Sequence, residues 1–286
     1  MKPAPFDYVA ASSIEEAIDS LHQHGDAAKV LAGGQSLVPL MNLRLVRPGV
    51  LVDVNPIESL SFIEEDSGRL RIGALTRAHD IEQSSVAQHA CPLLSEASRW
   101  IGHRAIRHRG TIGGSLAHND PAAEYPLMAA LLGARLVMRS AGGVRTLAAA
   151  DFAVDYLTTA LRPDELLTQI DLAVVPPGTG WSFREMARRH GDFALAEVGV
   201  TIVNRNGVIG DVKVAVGGAG PVARRLSTAE QALKGEAFRP DTVEAASHAA
   251  AAECQAESDL HASAEYRQHL VRTLVAEALR EAWSRA

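Results

Sequence analysis

Apolar residues recur along this chain at two spacings, and the order of the two gives a first map of its elements. Near the start, Ile14, Ala17, Ile18 and Leu21 share one helical face. Ser12 or Ser13, with Glu15 or Glu16, offers a capping box before them, and Gly25 ends the helix. Short apolar runs predict strands over Phe6 to Val9, up to Leu31, and over Val50 to Val54. Val38 to Leu43 reads as a short helix that tolerates Pro39 in its first turn.

A second unit opens near residue 57 with strand-like runs at Leu60 to Ile63 and Leu70 to Ile72. Helical spacing follows at Ala78 to Gln83, Pro92 to Trp100 and Ala122 to Leu132. Strands are then expected at Ala134 to Arg139, Val144 to Leu147 and Leu166 to Val175. The run Pro176-Pro177-Gly178-Thr179-Gly180 is the best boundary in the chain. Beyond it, Trp181 to Met186, Ala194 to Asn204 and Val208 to Val216 predict an antiparallel meander, with Asn206-Gly207 as the last hairpin turn. Helices should open at Ser227 with Glu230, after Pro240, and at Ala264 to Trp283, where Leu270, Leu274, Val275, Leu279 and Trp283 form one apolar face. The expected fold class is α+β. Two α/β subdomains, about 1–56 and 57–176, make a first domain over 1–176, and helices cover an antiparallel sheet in a second over 177–286.

Composition narrows the function. Of 286 residues, 47% are hydrophobic and 22% charged, which predicts a packed core rather than disorder. A formal charge of −6 gives no general reason to expect nucleic acid, and only Arg99 to Arg109 is locally basic. Cys91 and Cys254 are the only cysteines, too few for a disulfide framework or an iron–sulfur cluster. The N-terminus lacks the apolar run of a signal peptide, and no segment is apolar enough to span a membrane, so a cytoplasmic protein is expected.

Two glycine turns carry the candidate chemistry. Lys29-Val30-Leu31-Ala32-Gly33-Gly34-Gln35-Ser36-Leu37 is an apolar run that breaks into adjacent glycines, and Gly110-Thr111-Ile112-Gly113-Gly114-Ser115 repeats the pattern. Such turns let an anion approach main-chain N–H groups, and the hydroxyls of Ser36, Thr111 and Ser115 add donors. Two sets of donors on one ligand would suit a diphosphate; each pair alone reads equally well as a tight turn. Neither matches the dinucleotide fingerprint Gly-x-Gly-x-x-Gly, and no Walker lysine follows, which disfavours a nicotinamide domain or a kinase.

Ala32 to Pro39, followed by Arg44 and Pro48, closely resembles the first FAD-binding segment of the medium subunit of molybdenum hydroxylases, the carbon monoxide dehydrogenase and xanthine dehydrogenase group. Gly110 to Ala117, followed by Asp120-Pro121-Ala122-Ala123-Glu124, resembles the second segment, and Arg188-Arg189-His190-Gly191-Asp192-Phe193-Ala194 a third. The three stand in family order and the likeness spans nearly the whole chain. It implies a vanillyl-alcohol-oxidase (PCMH)-type FAD-binding domain of two subdomains and a C-terminal domain of carbon monoxide dehydrogenase flavoprotein type. It also implies non-covalent FAD with its diphosphate against both turns. Carried over by position, Val30, Leu31, Ala32, Gly33, Gly34, Gln35, Ser36 and Leu37 surround the cofactor, as do Thr111, Ile112, Gly113, Gly114 and Ser115. Glu124 corresponds to an acidic residue on the adenosine ribose and Ile101 to a position approaching the flavin ring; Leu166 and Arg184 align with residues lining the ring or its pyrimidine edge. Ser115 and Gln35 depart from the residues many relatives carry there.

The resemblance implies an oxidoreductase subunit that accepts electrons from iron–sulfur clusters and passes them to an external acceptor, with no catalytic side chain of its own. The molybdenum cofactor and the 2Fe-2S clusters belong to partners, a large and a small subunit, assembled as a dimer of heterotrimers. Two other readings stand beside it. A self-sufficient flavin oxidase would turn over its own substrate; relatives of that kind often link a histidine to the flavin, and no obvious linking histidine flanks either glycine pair. A non-catalytic assembly protein would have lost FAD. His103, His108, His118 and Asp120 match no standard metal spacing, and Asp192 with Glu197 has no evident bond to act on.

Overall fold

The computed structural model describes residues 1–286. The first unit comprises β1 (Asp7–Ala10), α1 (Ile14–His24), β2 (Ala28–Leu31), α2 (Leu37–Asn42) and β3 (Val50–Asp53). Its strands form a parallel sheet in the order β1-β3-β2. Parallel neighbours require a crossover. The α1 segment carries the chain from β1 past the central β3 position to β2, and α2 lies in the link from β2 to β3; α1 buries Ala17, Ile18 and Leu21 in one cluster with Val50 and Val52. The capping box is split between the two serines: Ser13 Oγ accepts from Glu16 N at 3.1 Å, while Glu16 Oε2 accepts from Ser12 N at 2.7 Å.

The second unit runs through β4 (Ile63–Asp66), β5 (Arg69–Gly73), α3 (Ala78–Gln83), α4 (Ser85–Ala90), α5 (Pro92–Ser98) and α6 (Arg104–Arg107). It continues with α7 (Ile112–His118), α8 (Glu124–Leu132), β6 (Arg135–Ser140), β7 (Gly143–Ala148), α9 (Ala149–Phe152), β8 (Ala153–Asp155), β9 (Thr158–Thr159) and β10 (Leu166–Ala173). Five strands make an antiparallel sheet in the order β4-β5-β10-β6-β7. Leu93, Leu94, Tyr125, Leu127 and Leu131 from the helices are buried with Leu70, Ile72 and Leu136 from the strands. α7 has no counterpart among the predicted elements, because Gly113-Gly114 reads as a breaker. The absence of side chains serves packing instead: a Cβ at Gly113 would lie 2.6 Å from the carbonyl oxygen of Ala74, just past β5.

The C-terminal unit holds β11 (Thr179–Ala187), β12 (Ala194–Arg205), β13 (Val208–Gly217), β14 (Arg224–Arg225), α10 (Ser227–Leu233), α11 (Pro240–Glu253) and α12 (Ala264–Ser284). Its sheet is antiparallel in the order β11-β12-β13-β14. On one face, Val198, Val200 and Ile202 are buried with Leu270, Val271, Leu274, Val275 and Leu279 of α12. Burying each such side chain is worth about 1.5–3 kcal/mol. The other face meets α8, where Gly199 makes room: a Cβ there would sit 2.7 Å from Leu131 Cδ2. One predicted cap is different. Ser227 lies inside α10 and its N–H and hydroxyl donate to Glu253 Oε1 at 3.0 Å, so α11 supplies the cap; Glu230 turns to Arg225 and Val214 N. No helix is long and apolar enough to cross a membrane.

Candidate functional site

The two glycine turns lie against each other. The first leaves the C-terminal end of β2, where Leu31 pairs with Asp53; the second leads from α6 into α7. A Cβ on Gly33 would overlap the carbonyl oxygen of Arg109 and lie 2.9 Å from Gly110 Cα. A Cβ on Gly114 would reach Thr111 Oγ1 at 2.8 Å and Ala32 Cβ at 3.8 Å. Segments more than seventy residues apart in sequence therefore form one surface.

Two residues absent from the predicted site clamp them together. Asn55 Nδ2 donates to Ala32 O at 2.9 Å, and Asn55 Oδ1 accepts from Arg77 Nη2 at 2.6 Å. Arg77 Nη1 in turn donates to Arg109 O at 2.6 Å. The chain of bonds thus runs from one turn to the other through two side chains. Burial, with the nearby Arg109 charge, lowers the basicity of Arg77, although an arginine stays cationic at any ordinary pH. Asn55 carries a sequence signal only as part of Asn55-Pro56, the end of a strand; Arg77 carries none.

The donor inventory differs between the turns. In the first, no protein group accepts from the main-chain N–H groups of Ala32, Gly33, Gly34, Gln35 or Ser36. Gly33 is buried, and a buried N–H without an acceptor is rare and costly. Gln35 Nε2 donates to Gly33 O at 2.9 Å and fixes the loop, and Ser36 heads α2 without capping it through its side chain. In the second turn most N–H groups are spent, and only that of buried Thr111 has no protein acceptor. Ile112 N donates to Thr76 O at 3.1 Å, Gly113 N to Ala74 O at 2.9 Å, and Gly114 N to Thr111 Oγ1 at 3.0 Å. Ser115 N donates to Thr111 O at 3.0 Å, which leaves the hydroxyl of Ser115 facing no protein partner. The two turns are unequal: the first offers a run of N–H groups, while the second offers the Thr111 N–H with the hydroxyls of Thr111 and Ser115 and holds the first in place.

The other predicted residues are dispersed. Ile101 is half-buried beside Trp100, whose ring packs on Phe183 at 5.9 Å and on His190 at 5.8 Å; its carbonyl accepts from Arg107 Nη1 at 3.2 Å. Leu166 is buried in the core of the first unit with Leu60 and Leu75. Arg184 points to the helical face of the C-terminal sheet, where its Nε lies 2.9 Å from Glu281 Oε2. Val30 and Ala32 beside the first turn pack against the cluster that holds Leu166, whereas Arg184 is engaged on the far face of the C-terminal sheet. Glu124 opens α8, one helix downstream of the second turn.

Glu124 belongs to a group of carboxyls. Glu185 and Glu197 are direct cross-strand partners on the face of the sheet that meets α8. Burial, followed by the Glu185 charge, lifts Glu124 to about 8, and burial lifts Glu185 to about 7. Glu197 is raised well above the usual range by burial, then by Glu124 and Glu185. Both Glu197 oxygens are buried without a hydrogen-bond partner.

Comparison with known proteins fits this architecture. Residues 4–174 match the FAD binding domain in molybdopterin dehydrogenase, and residues 181–282 match the CO dehydrogenase flavoprotein C-terminal domain. The protein is an FAD-binding flavoprotein. It belongs to the molybdopterin dehydrogenase family, as a chain of the carbon monoxide dehydrogenase medium-subunit type. It is 39% identical over 287 residues to 6-hydroxypseudooxynicotine dehydrogenase complex subunit alpha of Paenarthrobacter nicotinovorans, covering 100% of this chain and 97% of that one. It is 40% identical to the nicotine 6-hydroxylase medium subunit of the same organism, over 100% of both chains. The structure of carbon monoxide dehydrogenase from Hydrogenophaga pseudoflava, in a form lacking the Mo-pyranopterin moiety of the molybdenum cofactor, contains a chain that superposes with a TM-score of 0.98. The two are 37% identical and each is covered over 100% of its length.

Proposed function

We propose that this chain is the electron-transfer subunit of a multi-subunit molybdenum hydroxylase, and that it seats the diphosphate of one FAD on the N–H run from Ala32 to Ser36. The observation that carries this reading is the N–H of Gly33, a buried residue, which lacks a protein acceptor inside a run of free donors. Phosphate oxygens are the acceptors such a run needs. The hydroxyls of Ser36, Thr111 and Ser115 add donors, while Arg77 and Arg109 supply positive potential beside them. Val30, Leu31, Leu37, Ile112, Gly113 and Gly114 form the wall, Glu124 receives the adenosine ribose, and Ile101 stands toward the flavin ring.

Bound FAD supplies the two-electron redox chemistry. The chain's own residues bind it, orient it and leave an edge open to a partner. No side chain is asked to act as nucleophile or general base. Cys91 and Cys254 are both buried and single, so iron–sulfur clusters must reside on another polypeptide. We place those clusters on a small subunit and the molybdenum cofactor on a large one, in a cytoplasmic dimer of heterotrimers. The test is purification of the full chain. It should carry FAD, show no substrate turnover by itself, and be reduced only when the iron–sulfur and molybdenum subunits are added with their substrate. Turnover by the isolated chain would instead identify a self-sufficient oxidase, and a folded chain that takes up no FAD would contradict the cofactor assignment.

A further inference from the structure

The carboxyl cluster at the domain junction has a geometry that links it to the cofactor. Glu185 on β11 and Glu197 on β12 stand directly opposite each other, and Gly217 on β13 is the next partner of Glu197. Opposed like charges on a sheet are unfavourable, more so away from water. Glu197 is 0% exposed, and a Cβ on Gly217 would overlap its Oε1, so the glycine leaves the space the carboxyl fills. α8 lies over this face, with Met128 and Leu131 against Gly199 on the strand of Glu197, and Glu124 stands in its first turn. Its preceding loop rests on the same sheet, where Gly218 N donates to Pro121 O at 2.6 Å.

The surroundings supply little compensating charge. Asp120, in that loop, adds a further carboxylate, and its Oδ1 accepts from Ala122 N at 3.0 Å. Arg107 of α6 is the cation facing Glu124, but it is committed to Glu82 of α3 at 2.9 Å. Tyr125 is buried, and its hydroxyl lies 2.9 Å from Ser98 Oγ of α5. From the far side, Arg267 of α12 bonds Leu195 O at 2.6 Å and Gly218 O, and pairs with Asp259 at 2.7 Å. Arg184, on β11, faces away toward Glu281. A fully buried carboxyl with both oxygens unpartnered is costly as an anion and far less so as an acid, whose O–H is then free to donate.

We infer that Glu185 is a positioning residue for Glu124: beside the buried, neutral Glu197 acid, it helps keep the Glu124 carboxyl protonated in the free protein, and that proton passes to solvent when the cofactor's ribose hydroxyls donate to it. The inference rests on the placement of FAD proposed above. Ribose hydroxyls hydrogen-bond best to an ionised acceptor, so cofactor seating and proton loss become one linked event. Burial, and then the charge of Glu185, raise Glu124 in the direction this requires.

The test is calorimetric titration of FAD into the deflavinated full chain at pH 7.5, in two buffers of different ionisation enthalpy. Close to one proton should leave per FAD bound, and affinity should rise up to about tenfold per pH unit between pH 6.5 and 8. Glu185→Gln should release fewer protons at pH 7.5 and bind FAD more tightly at pH 7 than the natural chain. Binding of FAD with no proton exchange and a flat pH profile would overturn the inference and leave the cofactor assignment standing. So would a Glu185→Gln variant that weakens binding equally at every pH with an unchanged proton count, since that is the signature of packing alone. A folded chain that binds no FAD at any pH would overturn both.

Discussion

Gly33 and Arg109 touch main chain to main chain: the space a Cβ would need on Gly33 is filled by the carbonyl oxygen of Arg109. That carbonyl also accepts from Arg77 at 2.6 Å, and Arg77 holds Asn55, which holds Ala32 O. The second turn is therefore the back wall against which the first is shaped. The free N–H run of Ala32 to Ser36 owes its conformation to this contact.

Arg77→Ala should loosen both turns together. It removes hydrogen bonds from Asn55 Oδ1 and Arg109 O. The loss should cost about 1–3 kcal/mol of stability, the usual penalty for stranding partly buried partners. FAD affinity should fall more than stability does, because the donors lose their alignment. Arg77→Lys should rescue little, since one ammonium lacks the forked pair of N–H donors that spans the two acceptors. Comparison of denaturation midpoints with FAD dissociation constants checks this, and full rescue by lysine would contradict it.

Stability should decline as the solution is made alkaline. Glu185 and Glu124 titrate at about 7 and about 8 in the folded chain, against 4.5 for an ordinary glutamate, and Glu197 is raised further. Above about pH 5 the unfolded chain has already released these protons while the folded chain still holds them. The folded state then binds more protons, so its stability falls as pH rises, by at most about 1.4 kcal/mol per pH unit for each group. The fall extends through the folded values near 7 and 8. Glu197→Gln, uncharged and of the same shape, should flatten the melting temperature between pH 6 and 8.5. An equally steep decline in the variant would place the effect elsewhere.

Gly199 should tolerate no side chain. α8 lies over it, with Leu131 Cδ2 2.7 Å and Met128 Cε 3.1 Å from the position of a Cβ. Gly199→Val should cost about 1–3 kcal/mol through overpacking, and it should act on the junction between the FAD-binding domain and the C-terminal sheet. Proteolysis near the Pro176 to Gly180 segment should become faster in the variant. Unchanged stability and unchanged cleavage would show that the seat is looser than it looks.

Much of the architecture was legible because it follows hydrophobic spacing. The apolar face of α12 and the alternation along β12 and β13 each have one dominant period, and tertiary packing only reinforces it. The first glycine turn was legible for the same local reason, since β2 ends where Ala32-Gly33-Gly34 begins. α7 was hidden, because the glycines that allow it to lie on Ala74 are the residues that argue against a helix. The clamp was hidden too. Asn55 and Arg77 act through hydrogen bonds to carbonyls 23 and 32 residues away, and no periodicity marks such a partner. The spent N–H groups of the second turn depend on Ala74 O and Thr76 O, which only the folded chain brings near. Glu197, to which the sequence assigned no chemistry with Asp192, faces Glu185 across the strands.

The most direct measurement is the flavin content of the purified full chain and of Gly33→Val, read from the visible absorption spectrum after the fold has been verified by circular dichroism. A Cβ at Gly33 must push the first turn off Arg109 and scatter the donors from Ala32 to Ser36. The account predicts close to one FAD per natural chain and less than about a tenth of that in the folded variant, with overpacking costing about 1–3 kcal/mol. Full FAD content in folded Gly33→Val would contradict it.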